Sequence, residues 1–168
     1  MIKQTLSTCY SSPVGYIDIK ITDNHIAELL FSDQQKSPGD EKLSAGEIKI
    51  LKECIKQLDE YFLGKRKTFN LPLQQSGTGF QQKVWNELLK IPYGKTISYL
   101  ELSQRLGDIK AIRAVASANG KNKLSIVVPC HRVIGSDGSL VGYGGGLPRK
   151  KWLLDHENKY AHGVSLLF

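Results

Sequence analysis

The stretch Ser98-Tyr99-Leu100-Glu101-Leu102-Ser103-Gln104-Arg105-Leu106-Gly107-Asp108-Ile109-Lys110-Ala111-Ile112-Arg113-Ala114-Val115-Ala116-Ser117-Ala118 decides how the second half of the chain is read. Ser98 with Glu101 has the S-x-x-E form of a capping box. Tyr99, Leu102 and Leu106 then recur at steps of three and four, the spacing of one helix face. Gly107 stops that helix, and Asp108 can cap a second one running over 109–118. Two short helices around a tight glycine turn form a helix-turn-helix pattern. The second helix is unusual in having small side chains at Ala111, Ala114, Ala116, Ser117 and Ala118, while Lys110, Arg113 and Ser117 share a polar face. Two readings stay open from these residues alone. The small side chains let the backbone approach a partner closely while Arg113 reaches into a groove, or the helix packs against a neighbour and Arg113 is solvated.

Upstream, Thr78 with Gln81 forms another capping-box pattern. Phe80, Val84 and Leu88 follow on one face, with Trp85 and Leu89 beside them, and Pro92-Tyr93-Gly94 ends that helix. Gln74-Gln75-Ser76-Gly77 is short, polar and aperiodic, and reads as a linker. Before it the grammar is different. Ile17, Ile19 and Ile21 alternate with Asp18, Lys20 and Thr22, which predicts a strand. Asp23-Asn24 supplies a turn, and 25–31 reads as the returning strand of a hairpin. Residues 32–40 read as a loop. Ser44 with Glu47 is a capping box, and Ile48, Leu51, Ile55, Leu58 and Phe62 predict the buried helix face, with Gly64 just past its end. Thr68 to Leu73 alternates again, and its Pro72 argues for an edge strand or a strand end. The expected architecture is α/β (α+β). A small N-terminal sheet-plus-helix domain spans 1–77. A mostly helical, winged-helix-like domain with the helix-turn-helix spans 78–168.

Downstream, Leu124 to Val128 is apolar and β-branched and predicts a buried strand, ended by Pro129. Cys130, His131 and Arg132 follow at once. A thiolate is the reactive form of cysteine, and an imidazole can take its proton. Neighbouring residues of an extended strand point to opposite faces, so Cys130 and His131 can cooperate only in a turn or through a water. The alternative is a cysteine buried as a small hydrophobe, the reading kept for Cys9 and Cys54. Farther on, Pro148 suits the first turn of a helix over 149–160. Leu153, Glu157 and Tyr160 share a face of it, so Glu157 is either solvated at the stripe edge or a buried partner for a histidine. The glycine-rich segments Gly135-Ser136-Asp137-Gly138 and Gly142-Tyr143-Gly144-Gly145-Gly146 let backbone N–H groups approach a ligand, with Tyr143 as a wall for a flat base, or they form a flexible surface loop.

Composition bounds these readings. A chain of 168 residues with 40% hydrophobic residues and 23% charged residues is globular in composition rather than disordered. The formal net charge of +7 and pI near 9.3 favour a polyanionic partner, or describe a merely basic protein. Three widely spaced cysteines without a CxxC pair imply neither a disulfide framework nor a zinc site. No stretch approaches a bilayer span and the first residues lack a secretory core, so a cytosolic protein is the simplest expectation.

With these residues in hand, the chain resembles the O6-alkylguanine-DNA alkyltransferases, also called methylated-DNA–protein-cysteine methyltransferases. Pro129-Cys130-His131-Arg132-Val133 matches the family's active-site signature. The likeness runs from Phe80 to Glu157 through Ile97-Ser98-Tyr99, Arg113-Ala114-Val115, Asn122, Gly145-Gly146-Leu147 and Trp152-Leu153-Leu154. The resemblance implies a DNA repair activity in which Cys130 accepts the alkyl group of O6-alkylguanine once and irreversibly, after the base is flipped out through the minor groove. It also implies roles. His131 activates the thiol through a water, Glu157 orients His131, and Asn122 ties the helix-turn-helix to the active-site segment. Arg113 fills the gap left by the base, Tyr99 crowds the adjacent phosphate, and Lys110, Ala111, Ala114 and Ser117 lie on the DNA side. Val133, Ser136, Tyr143 and Gly144 line the guanine pocket. The implied partner is double-stranded DNA carrying O6-alkylguanine, with O4-alkylthymine as an alternative lesion. A monomer with no cofactor and no metal is expected. Lys123 departs from the proline that many relatives carry after the hinge asparagine. The rival readings are a cysteine hydrolase, which gives the basic charge and Arg113 no role, a non-catalytic lesion binder, which would lack Cys130, and a transcriptional regulator, which leaves the Cys-His signature unexplained.

Overall fold

Alternation of apolar and polar residues drives the first part of the chain into a sheet. The computed structural model describes residues 5–39 and 42–163. Strands β1 (Thr5–Ser12), β2 (Gly15–Thr22) and β3 (His25–Ser32) pair antiparallel in the order β1-β2-β3. Asp23 and Asn24 take φ of 50° and 59° in the two-residue turn between β2 and β3. Two positive φ values match the right-handed twist of the flanking strands, and Asp and Asn tolerate them. Ile17, Ile19 and Ile21 are buried, as are Ile26 and Leu29. The last two are three residues apart, an odd step for one face of a strand. A register shift between Lys20 and Ile21 opposite them absorbs the extra residue.

Helix α1 (Ala45–Phe62) carries the expected capping box: Ser44 Oγ accepts from Glu47 N, and the Glu47 carboxylate accepts from Ser44 N at 2.9 Å. Its buried face is rotated from the predicted one. Cys54, Gln57, Leu58 and Tyr61 are buried, whereas Ile48 is 39% exposed and Leu51, Ile55 and Phe62 are half-buried. Gln57 explains the rotation. Its amide donates to Asn70 O at 2.9 Å and accepts from Asn70 N at 2.8 Å, clamping the following segment as a strand neighbour would. The predicted strand over Thr68 to Leu73 is therefore absent. Its backbone pairs with a side chain, and only Leu73 makes a bridge, parallel to Ile26. Pro72 has no N–H to donate, and its carbonyl accepts from Ile26 N at 2.8 Å.

The chain divides into two compact units, Met1–Ser76 and Gly77–Phe168, with the division inside the polar 74–77 segment. The second unit is mixed but mostly helical. Helix α2 (Gly79–Leu88) has its Thr78/Gln81 capping box complete. Val84, Trp85 and Leu88 are buried, but Phe80, predicted on the same face, is 39% exposed. It sits in the first turn, where the face has not yet met its neighbours. Trp85 anchors the helix by donating from Nε1 to Ala118 O at 2.9 Å. A short strand β4 (Ile97–Ser98) leads into α3 (Tyr99–Arg105). Ser98 caps α3, but Glu101 departs from the capping box and pairs with Arg105 at 2.7 Å. Gly107 takes φ of 86°, Asp108 accepts from Lys110 N, and a 3₁₀ turn (Ile109–Ala111) runs into α4 (Ile112–Gly120). The helix-turn-helix is thus present, its second helix starting with a tighter turn.

Leu124 to Val128 is buried as predicted but is not a strand. It is a compact turn in which Val128 N donates to Leu124 O at 2.9 Å and Ile126 takes φ of 72°. Asn122 is the reason: its Oδ1 accepts from Leu124 N at 3.0 Å and its Nδ2 donates to Val128 O at 2.8 Å, closing both ends of the turn. Beyond it, β5 (Val133–Ile134) pairs parallel with β4, and α5 (Leu147–His162) ends at Gly163 in the left-handed conformation. Pro148 sits in its first turn.

Candidate functional site

Cys130, His131 and Arg132 form one 3₁₀ turn after Pro129, with Arg132 N donating to Pro129 O at 3.0 Å. This is one of the two arrangements in which adjacent Cys and His side chains can cooperate. Cys130 is 6% exposed and His131 fully buried. Burial pushes the Cys130 thiol above its ordinary value, while Asn122 and the Lys150 charge pull it back. Burial lowers His131, and Glu157 opposes that. The site therefore rests as neutral thiol and neutral imidazole at neutral pH.

Glu157 is buried, and its Oε1 lies 2.7 Å from His131 Nε2. A carboxylate this close takes the imidazole proton as donor on Nε2, which leaves Nδ1 as the acceptor. Nδ1 is buried and has no hydrogen-bond partner among the described residues. Burial would raise Glu157, but His131 and Arg132 outweigh it and hold the carboxyl far below the usual range. Arg132 grips the carboxylate in a fork, Nε to Oε2 at 2.8 Å and Nη2 to Oε1 at 2.9 Å. Its Nη1 donates to Ile91 O at 2.7 Å, and its guanidinium lies over the Tyr93 ring.

Lys150 is fully buried on α5, two turns before Glu157 on the same side. Its Nζ donates to Val133 O at 2.5 Å and to Val141 O at 2.8 Å, and stands 5.8 Å from the Tyr99 ring centroid. Burial lowers Lys150 to about 8. The Tyr99 hydroxyl donates to Val141 O at 3.2 Å. Tyr99 and Tyr143 are both raised, first by burial and next by Cys130. The structure thus gathers Cys130, His131, Glu157, Asn122, Tyr99, Tyr143 and Val133 in one place. Arg113, Lys110, Ala114 and Ser117 are exposed on the helix-turn-helix, and Ala111 is half-buried. Gly144 is exposed in the glycine loop, and Ser136 is exposed in the turn closed by Gly135 N to Ser139 O at 2.9 Å. An open cleft of about 700 Å³ between that turn and the start of α5 is lined by Leu140, Leu147, Pro148 and Lys151 rather than by Cys130.

Sequence reasoning missed the roles of Lys150 and Arg132 in this packing. Lys150 had a signal, since it shares the helical stripe of Leu153, Leu154 and Glu157. Arg132 had none beyond its place in the signature.

The architecture is a sheet-plus-helix unit joined to a helix-turn-helix unit that carries a buried thiol beside a His–Glu pair. The profile of the family described as "6-O-methylguanine DNA methyltransferase, ribonuclease-like domain" matches residues 5–75, and that of its "DNA binding domain" matches residues 79–159. The chain is 44% identical to the constitutive methylated-DNA–protein-cysteine methyltransferase of Bacillus subtilis over 154 residues, covering 89% of this chain and 93% of that one. It is 40% identical to the enzyme of the same name from Mycolicibacterium paratuberculosis over 157 residues, 94% of each chain. Among solved structures it is similar to Mycobacterium tuberculosis OGT in complex with DNA, with TM-score 0.80, 39% identity and coverage of 92% and 93%. This chain belongs to the methylated-DNA–protein-cysteine methyltransferases.

Proposed function

We propose that this protein repairs alkylated DNA by moving the alkyl group of O6-alkylguanine onto Cys130, once per molecule. The observation that carries the reading is the buried Cys130 on one turn with His131, whose Nε2 is 2.7 Å from the buried Glu157. His131 Nδ1 accepts the thiol proton through a water, and Glu157 stabilises the imidazolium that forms. The sulfur attacks the alkyl carbon in line. The S–C bond forms as the C–O6 bond breaks, and the electron pair leaves with guanine, where a proton replaces the alkyl group. The product is a thioether that no neighbouring group hydrolyses, so turnover stops at one.

The target oxygen lies inside the duplex, so the nucleotide is extruded through the minor groove at a cost of a few kcal/mol, less for a poorly paired lesion. In this reading Arg113 fills the vacated stack, and Lys110, Ala111, Ala114 and Ser117 approach the backbone. Tyr99 crowds the adjacent phosphate, and Asn122 couples this helix pair to the Cys130 turn. Val133, Ser136, Tyr143 and Gly144 line the base pocket. The exposed small side chains of Ala114 and Ser117 beside Arg113, together with the net charge of +7, support this orientation. No described helix is long and apolar enough to cross a membrane.

The test mixes the protein with a duplex bearing one O6-methylguanine and records intact mass. The expected result is a gain of one methyl group that saturates at one equivalent and is absent from Cys130→Ser. Lesion binding without mass gain would make the chain a lesion binder and sink the transfer mechanism.

A further inference from the structure

A three-group relay of Cys130, His131 and Glu157 leaves one neighbour without a role. Arg132 is 6% exposed, and its guanidinium takes both oxygens of the carboxylate that orients His131. It also ties that carboxylate to Ile91 O, at the end of the α2 segment. A bidentate guanidinium–carboxylate pair is planar and geometrically specific, and Lys cannot reproduce it. Glu157 therefore cannot swing from His131 without breaking the fork, and it cannot serve His131 alone.

We propose that Arg132 is a positioning residue for the transfer reaction, whose fork on Glu157 fixes the carboxylate against His131 Nε2 and leaves Nδ1 as the open acceptor. The inference rests on the reading of Cys130 as acceptor and of His131 as its base. The charged or titratable groups facing His131 are Glu157 and Lys150 from α5, Arg132 and Cys130 from its own turn, and, under Arg132, the Tyr93 phenol. Tyr93 is pushed up to about 12, first by burial, and is neutral. Helix α2 brings buried Val84, Trp85 and Leu88, which do not titrate. A lone His–Glu pair would pull a proton onto the imidazole, since the carboxylate charge favours the cation. An imidazolium in the resting state has no lone pair for the thiol proton. Burial is the first influence that lowers His131, and Arg132, sharing the carboxylate's charge, adds to it against Glu157, so the base stays empty until the thiol needs it.

The sign follows. Removing the Arg132 charge raises His131, so the acid limb of the transfer rate moves to higher pH. In Arg132→Gln the single-turnover rate at neutral pH falls roughly 10- to 100-fold, below the ~10²–10⁴ a general base contributes in full, and recovers as pH rises. Arg132→Lys returns the midpoint toward the native value, while the rate stays depressed at every pH because the fork is lost. A group that only holds the fold together would lower the rate evenly and leave the midpoint in place, and that result overturns the proposal. The ¹⁵N spectrum of His131 is an independent readout that needs no substrate. Native protein should show the neutral Nε2–H form around neutrality, and Arg132→Gln should show an imidazole that titrates higher. If Arg132→Gln does not fold, Arg132→Lys decides: a native rate together with a native His131 spectrum overturns the proposal. Should native protein transfer no methyl group, the Cys130 reading fails, and the His131 spectra still report on Arg132.

Discussion

The two units bury polar groups for different ends. In the N-terminal unit the core is Ile17, Ile19, Ile21, Ile26, Leu29, Leu58 and Tyr61. Its buried polar side chains Glu47 and Gln57 pair with backbone, one capping α1 and one clamping Asn70. The C-terminal unit instead buries an imidazole, a guanidinium and an ammonium together with a carboxylate beside the Cys130 thiol: His131, Arg132, Lys150 and Glu157. Desolvating charges is costly, and a well-packed apolar replacement is often as stable or more so. Polar burial in the first unit is explained by its own elements. Charge burial on this scale in the second is what the proposed transfer chemistry at Cys130 calls for.

The largest effect that tests this contrast is Glu157→Ala. It leaves the Arg132 guanidinium buried and unpaired, a class of change that costs about 3–5 kcal/mol, read as a shift in the urea midpoint. Replacing the pair together, Arg132→Met with Glu157→Leu, should recover most of that stability while methyl transfer stays abolished. If the double replacement were as unstable as Glu157→Ala, the pair would belong to the fold after all. In the other unit, Leu58→Ala removes a fully buried side chain and should cost about 2–5 kcal/mol through lost burial and a cavity. No second substitution of opposite charge can rescue it.

Acid should expose the same pair. Burial raises the Glu157 carboxyl, but His131 and Arg132 outweigh it and depress it in the folded state. Its contribution is fully present above the unfolded value near ~4.3 and is lost as pH falls toward the folded value. Glu157→Gln should flatten the loss of stability below that pH. Lys150 has the same sign in a higher window, but because burial penalises its charge rather than because a partner favours it. Burial sets it at about 8 against an ordinary 10.5, so the unfolded chain binds more protons between the two, and stability should rise with pH across that window. Denaturant titrations of Lys150→Met against the native protein over that range would show whether the slope disappears.

The difference between the units also marks what the sequence could disclose. Local grammar was legible: the Asp23-Asn24 turn, the Ser44 and Thr78 caps, and the Gly107 break all depend on a few adjacent residues. The apolar stripe of the last helix was legible too, but whether Glu157 at its edge is solvated or buried was not, and the structure buries it. What stayed hidden depends on a distant partner. Leu124–Val128 has the composition of a strand, but Asn122 satisfies both ends of its backbone and folds it into a turn. The α1 face is rotated because Gln57 reaches Asn70 across 13 positions. Lys150 and Arg132 gain their roles only where the Val133, Val141 and Ile91 carbonyls and the Glu157 carboxylate come to meet them. Propensity and periodicity carry no information about such long-range acceptors.

The smallest test compares two helix caps with the same sequence pattern. Ser44-x-x-Glu47 and Ser98-x-x-Glu101 read alike, yet Glu47 returns to Ser44 N while Glu101 pairs with Arg105. Both serines accept from the backbone N–H three residues on, at 3.2 Å and 3.0 Å. Ser44→Ala and Ser98→Ala should therefore each cost about 1 kcal/mol, the usual value for a lost N-cap oxygen. The glutamates should differ. Glu47→Ala removes a buried carboxylate from the part-buried N-cap N–H and should cost about as much as its serine, whereas Glu101→Ala removes an exposed i,i+4 pair worth about 0.3–0.5 kcal/mol. Added salt separates them further. Screening should shrink the Glu101 effect and leave the Glu47 effect in place, because one is an ion pair in water and the other a hydrogen bond to backbone. Equal salt responses would mean that Glu101 also returns to its cap in solution, and the two patterns would then be physically the same.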